Sequence, residues 1–241
     1  MRAATKALHQ CSTGKTLDAS RERYLKDCLT LKYSVTTKKE LSVLSTKELY
    51  TLFVEKILIP PTAYSKLKNN FELNQNEINW SFQNFHRIIM ETKLKDFQFR
   101  CLHYIVNTKY KLKKMGITQD DTCSFCNLNT ETYNHLFFYC LKVQIFWMNF
   151  KHFWTSTFHE NISLDLKEIV IGYKERNDLF NYLIILGKWY IYQCSKKGTT
   201  PVFFIFKALC KSKYNIELNI ARKNNQMADF NRKWKFLVSY L

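Results

Sequence analysis

The chain has 241 residues, 46% of them hydrophobic and 24% charged, with 37 Lys/Arg against 20 Asp/Glu for a net charge of +17. That apolar content excludes global disorder, and the length accommodates one or two folded units. Five Gly and three Pro leave few breaks in the chain and favour a largely helical protein.

Residues 1–43 are polar and basic and read as an arm or linker remnant. Gly14-Lys15-Thr16 has the ending of a phosphate-binding loop, but His9 stands where that motif needs its first glycine, and no strand precedes it. Ser45-Thr46-Lys47-Glu48 is a capping box ahead of Leu49, Leu52, Phe53, Ile57 and Leu58, and Pro60-Pro61 ends that helix. A short helix through Leu67 follows. Ile78, Phe82, Phe85, Ile88 and Ile89 then mark an amphipathic helix over 77–92. Leu94, Phe97, Cys101, Leu102 and Ile105 repeat the helical spacing. Thr108 can cap a two-turn helix that Gly116 closes.

Beyond residue 140, Val143, Phe146, Trp147, Phe150, Trp154 and Phe158 form an aromatic helical stripe, read as facing the core in preference to stacking nucleobases. Leu164–Tyr173 reads as a short strand or an extended connector. The apolar run Leu179–Cys194 is interrupted by Asn181, Lys188 and Gln193 and is too short to span a bilayer, so it reads as a buried helix with no membrane role. Thr200-Pro201 starts a last long helix with Phe203, Phe206, Leu209, Cys210, Ile216 and Ile220 inside. The expected fold is mainly α: a helical bundle with a small embedded knuckle of Cys and His residues. Its divisions are 1–43, a helical region 44–158 holding the knuckle at 115–147, and a helical region 159–241 with a basic tail.

The excess charge is localised. Residues 93–114 hold seven basic residues against one acid, residues 207–241 eight against two, and residues 1–40 nine against four, whereas the intervening segments are neutral. Clustered positive charge fits a phosphate backbone. Lys93, Lys95, Arg100, Lys109, Lys111, Lys113, Lys114, Lys207, Lys211 and Lys213 are therefore the candidate contacts to RNA or DNA. A Lys-rich coding bias is the competing explanation.

Cys123-Ser124-Phe125-Cys126, His135 and Cys140 spell C-x2-C-x8-H-x4-C. Three thiols and one imidazole suit a tetrahedral, fully protein-ligated Zn²⁺, a structural site with no position left for a catalytic water. One zinc ion is expected and no small-molecule substrate. Cys101 and His103 form a further C-x-H pair on a helical pattern, where core or surface roles fit better. Cys11, Cys28, Cys194 and Cys210 lack ligand spacing. Scattered thiols and no apolar leader after Met1 argue for an intracellular, reduced protein of the cytoplasm and nucleus.

The run Phe97–Ile105, Lys109 through Met115-Gly116-Ile117, the Cys/His pattern, Glu131-Thr132, His135-Leu136-Phe137 and Cys140 through Phe146-Trp147 resembles the zinc-binding region that follows the reverse transcriptase in non-LTR (LINE-type) retrotransposon polyproteins. Leu44–Tyr50, Pro60-Pro61-Thr62-Ala63 and Lys188–Tyr192 extend the resemblance over roughly residues 44–235. Leu141 departs from a proline frequent in the family and leaves the four ligands intact. The resemblance implies a segment that assists engagement of template RNA or target DNA. The polymerase carboxylates are missing: the one Asp-Asp, Asp120-Asp121, reads as the turn entering the knuckle. A non-catalytic C-terminal piece is expected. A second reading stays open, in which zinc only holds a structural or protein-interaction module together, in a retroelement fragment without independent function.

Overall fold

Capping chemistry written into the sequence starts several of the helices. The computed structural model describes residues 32–33, 37–38, 45–48, 50–51, 61–174, 178–234 and 237. The chain divides into two units between Pro60 and Pro61. In the first, β1 (Lys32–Tyr33) pairs antiparallel with β2 (Thr37–Lys38). The Ser45 capping box is present there: Ser45 Oγ accepts from Glu48 N at 3.3 Å, and Glu48 accepts from Ser45 N at 2.8 Å. The apolar positions Leu49, Leu52, Phe53, Ile57 and Leu58, and the Gly14-Lys15-Thr16 run, lie outside the described residues.

The second unit is α-helical, as the scarcity of Gly and Pro indicated. Helix α1 (Thr62–Phe71) leads into α2 (Gln75–Ile88), whose Asn74–Glu77 capping box closes with two bonds of 2.9 Å. Helix α3 (Thr92–Leu102) buries Leu94, Phe97, Cys101 and Leu102. It stops at Leu102, so Ile105, expected on the apolar face, is 44% exposed. Helix α4 (Lys109–Lys114) is capped by Thr108, which accepts from Lys111 N, and Gly116 follows it at φ +71°, as its sequence predicts.

Helix α5 (Leu141–Phe158) buries Val143, Phe146, Trp147, Phe150 and Trp154. The aromatic stripe is core. Leu164–Tyr173 is a correction: neither strand nor connector, it contains helix α6 (Leu166–Ile171), started by an Asp165–Glu168 capping box. That Asp-x-x-Glu signal was present in the sequence and outweighs the β-branched content of so short a segment.

Helix α7 (Asp178–Lys197) is the centre of the unit and packs against α2, α3, α6, α8 (Phe203–Lys223) and α9 (Met227–Trp234). It is apolar on nearly every face, the pattern of a helix enclosed by others. Gly187 lets α5 approach closely, since a Cβ there would lie 2.8 Å from the Trp147 ring. That ring cannot easily yield, because its Nε1 donates to Phe137 O at 2.8 Å. The expected single last helix is broken at 224–226, where Asn225 takes φ +56°, a left-handed conformation that Asn tolerates. Helix α9 then folds back on α8. Trp234 Nε1 and Lys233 Nζ both donate to the buried Glu217, at 2.6 and 2.8 Å.

Lys188 interrupts the apolar run of α7 and is fully buried. Its ammonium donates to Gln98 Oε1 at 2.7 Å and to Val170 O at 3.2 Å, tying α7 to α3 and α6. Burial lowers its pKa to about 8, against a smaller opposing pull from Cys101. In the unfolded chain the amine titrates near ~10.4. Between those values the unfolded state binds the extra proton, so the penalty of burying the charge is complete below the folded pKa and fades as pH rises. Denaturant melts of wild type and Lys188→Met should therefore diverge in the wild type's favour between about pH 7.5 and pH 10, by up to about 3 kcal/mol. A stability difference that does not change with pH would show that burial does not lower the Lys188 pKa.

Candidate metal centre

The cluster is assembled from a turn, a π-helical turn and a helix start. Thr122 and Thr130 form an isolated antiparallel bridge, and Cys123 N donates to Asn129 O at 2.8 Å, closing a tight loop around Cys123–Cys126. Asn127 leaves the turn at φ +54° and donates its N–H to Cys123 O at 3.0 Å. Phe125 N lies 3.4 Å from Cys123 Sγ, a donor aimed at the sulfur.

His135 and Cys140 are five residues apart, which on an α-helix at about 100° per residue leaves them on different faces. The chain solves this with a π-helical turn, His135–Tyr139, in which Cys140 N bonds His135 O at 2.9 Å. Widening the ring to i→i+5 brings the two residues into register; such turns concentrate at functional sites. Cys140 is also the N-cap residue of α5.

Cys123, Cys126, His135 and Cys140 place their donor atoms within 4.8 Å of one another, a group that can hold one metal ion. Cys123 Sγ and Cys140 Sγ are 3.8 Å apart, and Cys126 Sγ is 3.4 Å from His135 Nε2. A tetrahedral Zn²⁺ with Zn–S near ~2.3 Å and Zn–N near ~2.0 Å has S···S edges of about 3.8 Å and S···N edges of about 3.5 Å. The donor set and both separations fit that ion. Cys123 and Cys140 are fully buried, and Cys126 and His135 are half-buried.

Cys140 is pulled down from the ordinary thiol pKa, first by the hydrogen bond from Cys123 and also by the Lys142 and Val143 N–H groups at the α5 N-terminus. Cys123 is pushed up to about 12, chiefly because it shares its proton with Cys140, and then by burial. One thiolate is favoured by the protein; several adjacent thiolates require a cation.

Glu131, completely buried, is the residue that spacing did not single out. Its Oε1 accepts from Lys109 N at 3.0 Å. Its Oε2 accepts from Ser124 N at 3.1 Å, Ser124 Oγ at 2.9 Å and Ser195 Oγ at 3.2 Å. One carboxylate thereby fastens the Cys turn to the start of α4 and to α7. Its sequence signal was a place, with Thr132, among the residues that carry the family resemblance, and its partners could not be guessed from sequence. Asp120 and Asp121 do form the turn into the knuckle. Asp120 accepts from Thr122 N and Thr122 Oγ1 and pairs with Lys109 at 3.3 Å, while Asp121 pairs with Lys113 at 3.0 Å. Those bonds hold the Asp120 carboxyl down to about 2, the Thr122 hydroxyl contributing most.

The candidate cations fall into two groups. Lys93, Lys95 and Arg100 lie on α3, with Arg100 paired to Asp96 at 2.9 Å; Lys109, Lys111, Lys113 and Lys114 lie on α4, with Lys114 Nζ 4.5 Å from the Tyr110 ring centre. On α8, Lys207 lies 5.0 Å from the Phe153 ring centre, Lys211 is exposed, and Lys213, largely buried, pairs with Glu91 at 2.6 Å. Cys101 is buried in the core and His103 packs between Phe82 and Phe99, so neither joins the metal cluster. Cys194 and Cys210 are buried elsewhere, and Cys11 and Cys28 lie outside the described residues.

Replacing Glu131 by Gln leaves all four metal donors in place but turns one acceptor oxygen into an amide NH2 group that faces N–H and O–H donors. The expected result is a loss of about 2–3 kcal/mol in thermal or denaturant melts, with faster release of bound zinc to a chelator. A variant that melts and holds metal like the wild type would remove Glu131 from the clamp.

Residues 61–147 match the family described as zinc-binding in reverse transcriptase, a span running from α1 into the first turns of α5 and containing all four donors. A search of curated proteins gives no match. Among the described residues no helix is long and apolar enough to cross a membrane. Convergent soft donors at tetrahedral spacing inside that matched span identify residues 61–147 as a zinc-binding module of reverse transcriptase-type proteins.

Proposed function

We propose that this segment is a non-catalytic, nucleic-acid-binding module in which Cys123, Cys126, His135 and Cys140 hold one structural Zn²⁺ as a CCHC knuckle. It assists engagement of template RNA or target DNA by a LINE-type reverse transcriptase. When bound, the ion supplies charge compensation for the thiolates and a rigid junction, with no open position for a reacting group. The loop itself is a poor phosphate ligand: residues 115–140 contain three acids and no Lys or Arg.

The observation that carries the reading is where the most basic segment sits. Helices α3 and α4 hold the seven cations of residues 93–114. Helix α4 is fastened to the knuckle by Glu131, Asp120 and Asp121, and Phe97 of α3 packs edge-on against Phe137 of the π-helical turn at 6.1 Å. The metal then acts as a clamp that fixes a basic surface, and phosphate contacts arise beside it.

A second reading has its own support. Arg100, Lys109, Lys113 and Lys213 already pair with carboxylates, which suits a zinc module that only stabilises a helical domain. Fluorescence anisotropy with labelled RNA and DNA, from about 50 to about 200 mM salt, separates the two. The binding module should lose affinity linearly on a log–log plot, and a Lys111→Ala/Lys114→Ala pair should lower the slope by about 1–2. Absence of binding at the lowest salt would leave only the structural reading. Cys126→Ser is expected to abolish stoichiometric zinc and to reduce binding with it.

A further inference from the structure

Helix α7 is enclosed along nearly its whole length, but Trp189 and Tyr192 are only half-buried. They are three residues apart, hence on one face, and with α3 they line a cleft of about 200 Å³. Phe97, 3% exposed, is its floor: its ring lies 5.1 Å from Trp189 and 5.5 Å from Tyr192. Lys93 and Arg100, four residues before and three after Phe97, stand exposed on the same side of α3 and line the cleft with it. Asn107 supplies a polar wall, and its carbonyl oxygen accepts from Lys196 Nζ at 2.7 Å. The same ammonium sits 5.1 Å from the Tyr192 ring centre. Lys109 is close enough to Lys196 to lower its pKa, a smaller effect than burial and the opposing pull of Glu131. The lining holds one acid, Asp96, and it is paired with Arg100.

Aromatic faces bordered by cations match the two halves of a nucleotide, a planar base and an anionic phosphate. We propose that this cleft receives one unpaired nucleobase of a single-stranded nucleic acid, packed against Trp189 and Tyr192, with Lys93 and Arg100 on the flanking phosphates. The inference rests on the nucleic-acid reading given above and narrows it to single strands. A duplex cannot use the cleft, because its bases have both faces stacked and would have to be extruded. An acidic peptide would satisfy the cations and leave the rings unused.

The test uses the zinc-loaded chain with single-stranded oligonucleotides carrying 5-iodouracil, and duplexes of the same sequence. On irradiation, crosslinks should map by mass spectrometry to Trp189 or Tyr192. Trp189→Leu should weaken single-strand binding by about tenfold or more. It should leave duplex affinity and the salt slope unchanged, since no phosphate contact is lost, and Trp189→Phe should restore most of the affinity. Circular dichroism and zinc content establish that each variant folds, and the wild-type crosslink map does not depend on them. Crosslinks confined to other residues, equal affinity for single strands and duplexes, or equally strong competition by an acidic peptide would overturn the cleft while leaving nucleic-acid binding standing. No binding of any oligonucleotide at low salt would remove both.

Discussion

A carboxylate removed from water must collect donors to replace the lost hydration, and Glu131 does so from three separate parts of the chain. Ser124 belongs to the cysteine turn, Lys109 opens the basic helix, and Ser195 lies on the central helix. No two of these are neighbours in sequence, so satisfying one buried charge sets their mutual positions. The metal cluster works on the same scale a few residues away. It needs Cys140 beside Cys123, and the chain meets that need with a π-helical turn that also launches α5. The knuckle and its surroundings are therefore one device. The donors set the turn, and the carboxylate sets what packs on the turn.

The second organising feature is α7. Its apolar girth requires neighbours on nearly every side, and Gly187 permits the close passage of α5 where a side chain would strike Trp147. Its one fully buried cation, Lys188, is paired to Gln98 and Val170, so even the polar interruption of the run becomes a cross-link between helices. Toward its C-terminal half the enclosure thins at Trp189 and Tyr192, on the side shared with α3.

Much of this was legible beforehand. The Ser45–Glu48 box and the Thr108 cap with its Gly116 stop are short-range signals, and each appears as written. The aromatic stripe of α5 was legible because a period near 3.6 speaks of one buried face regardless of what covers it. Other features escaped. In the segment holding α6, the β-branched residues compete with the Asp165–Glu168 box, and the box prevails. The break at Asn224–Gln226 hides inside a continuous helical pattern and depends on α9 finding Glu217, sixteen residues from Lys233. Lysines in a basic run look alike in sequence. Yet Lys213 and Lys233 are drawn inward by Glu91 and Glu217, whereas Lys211 stays exposed.

The sequence by itself determined the helical class, the identities of four soft donors and the location of the excess charge, because each depends on residue type and on spacings of a few positions. Tertiary structure decided whether those donors meet, which cations remain at the surface, and that Glu131 sits at the junction of knuckle, α4 and α7. These outcomes depend on groups many residues apart sharing one buried, low-dielectric space, where every charge must find a partner. No local pattern records that condition.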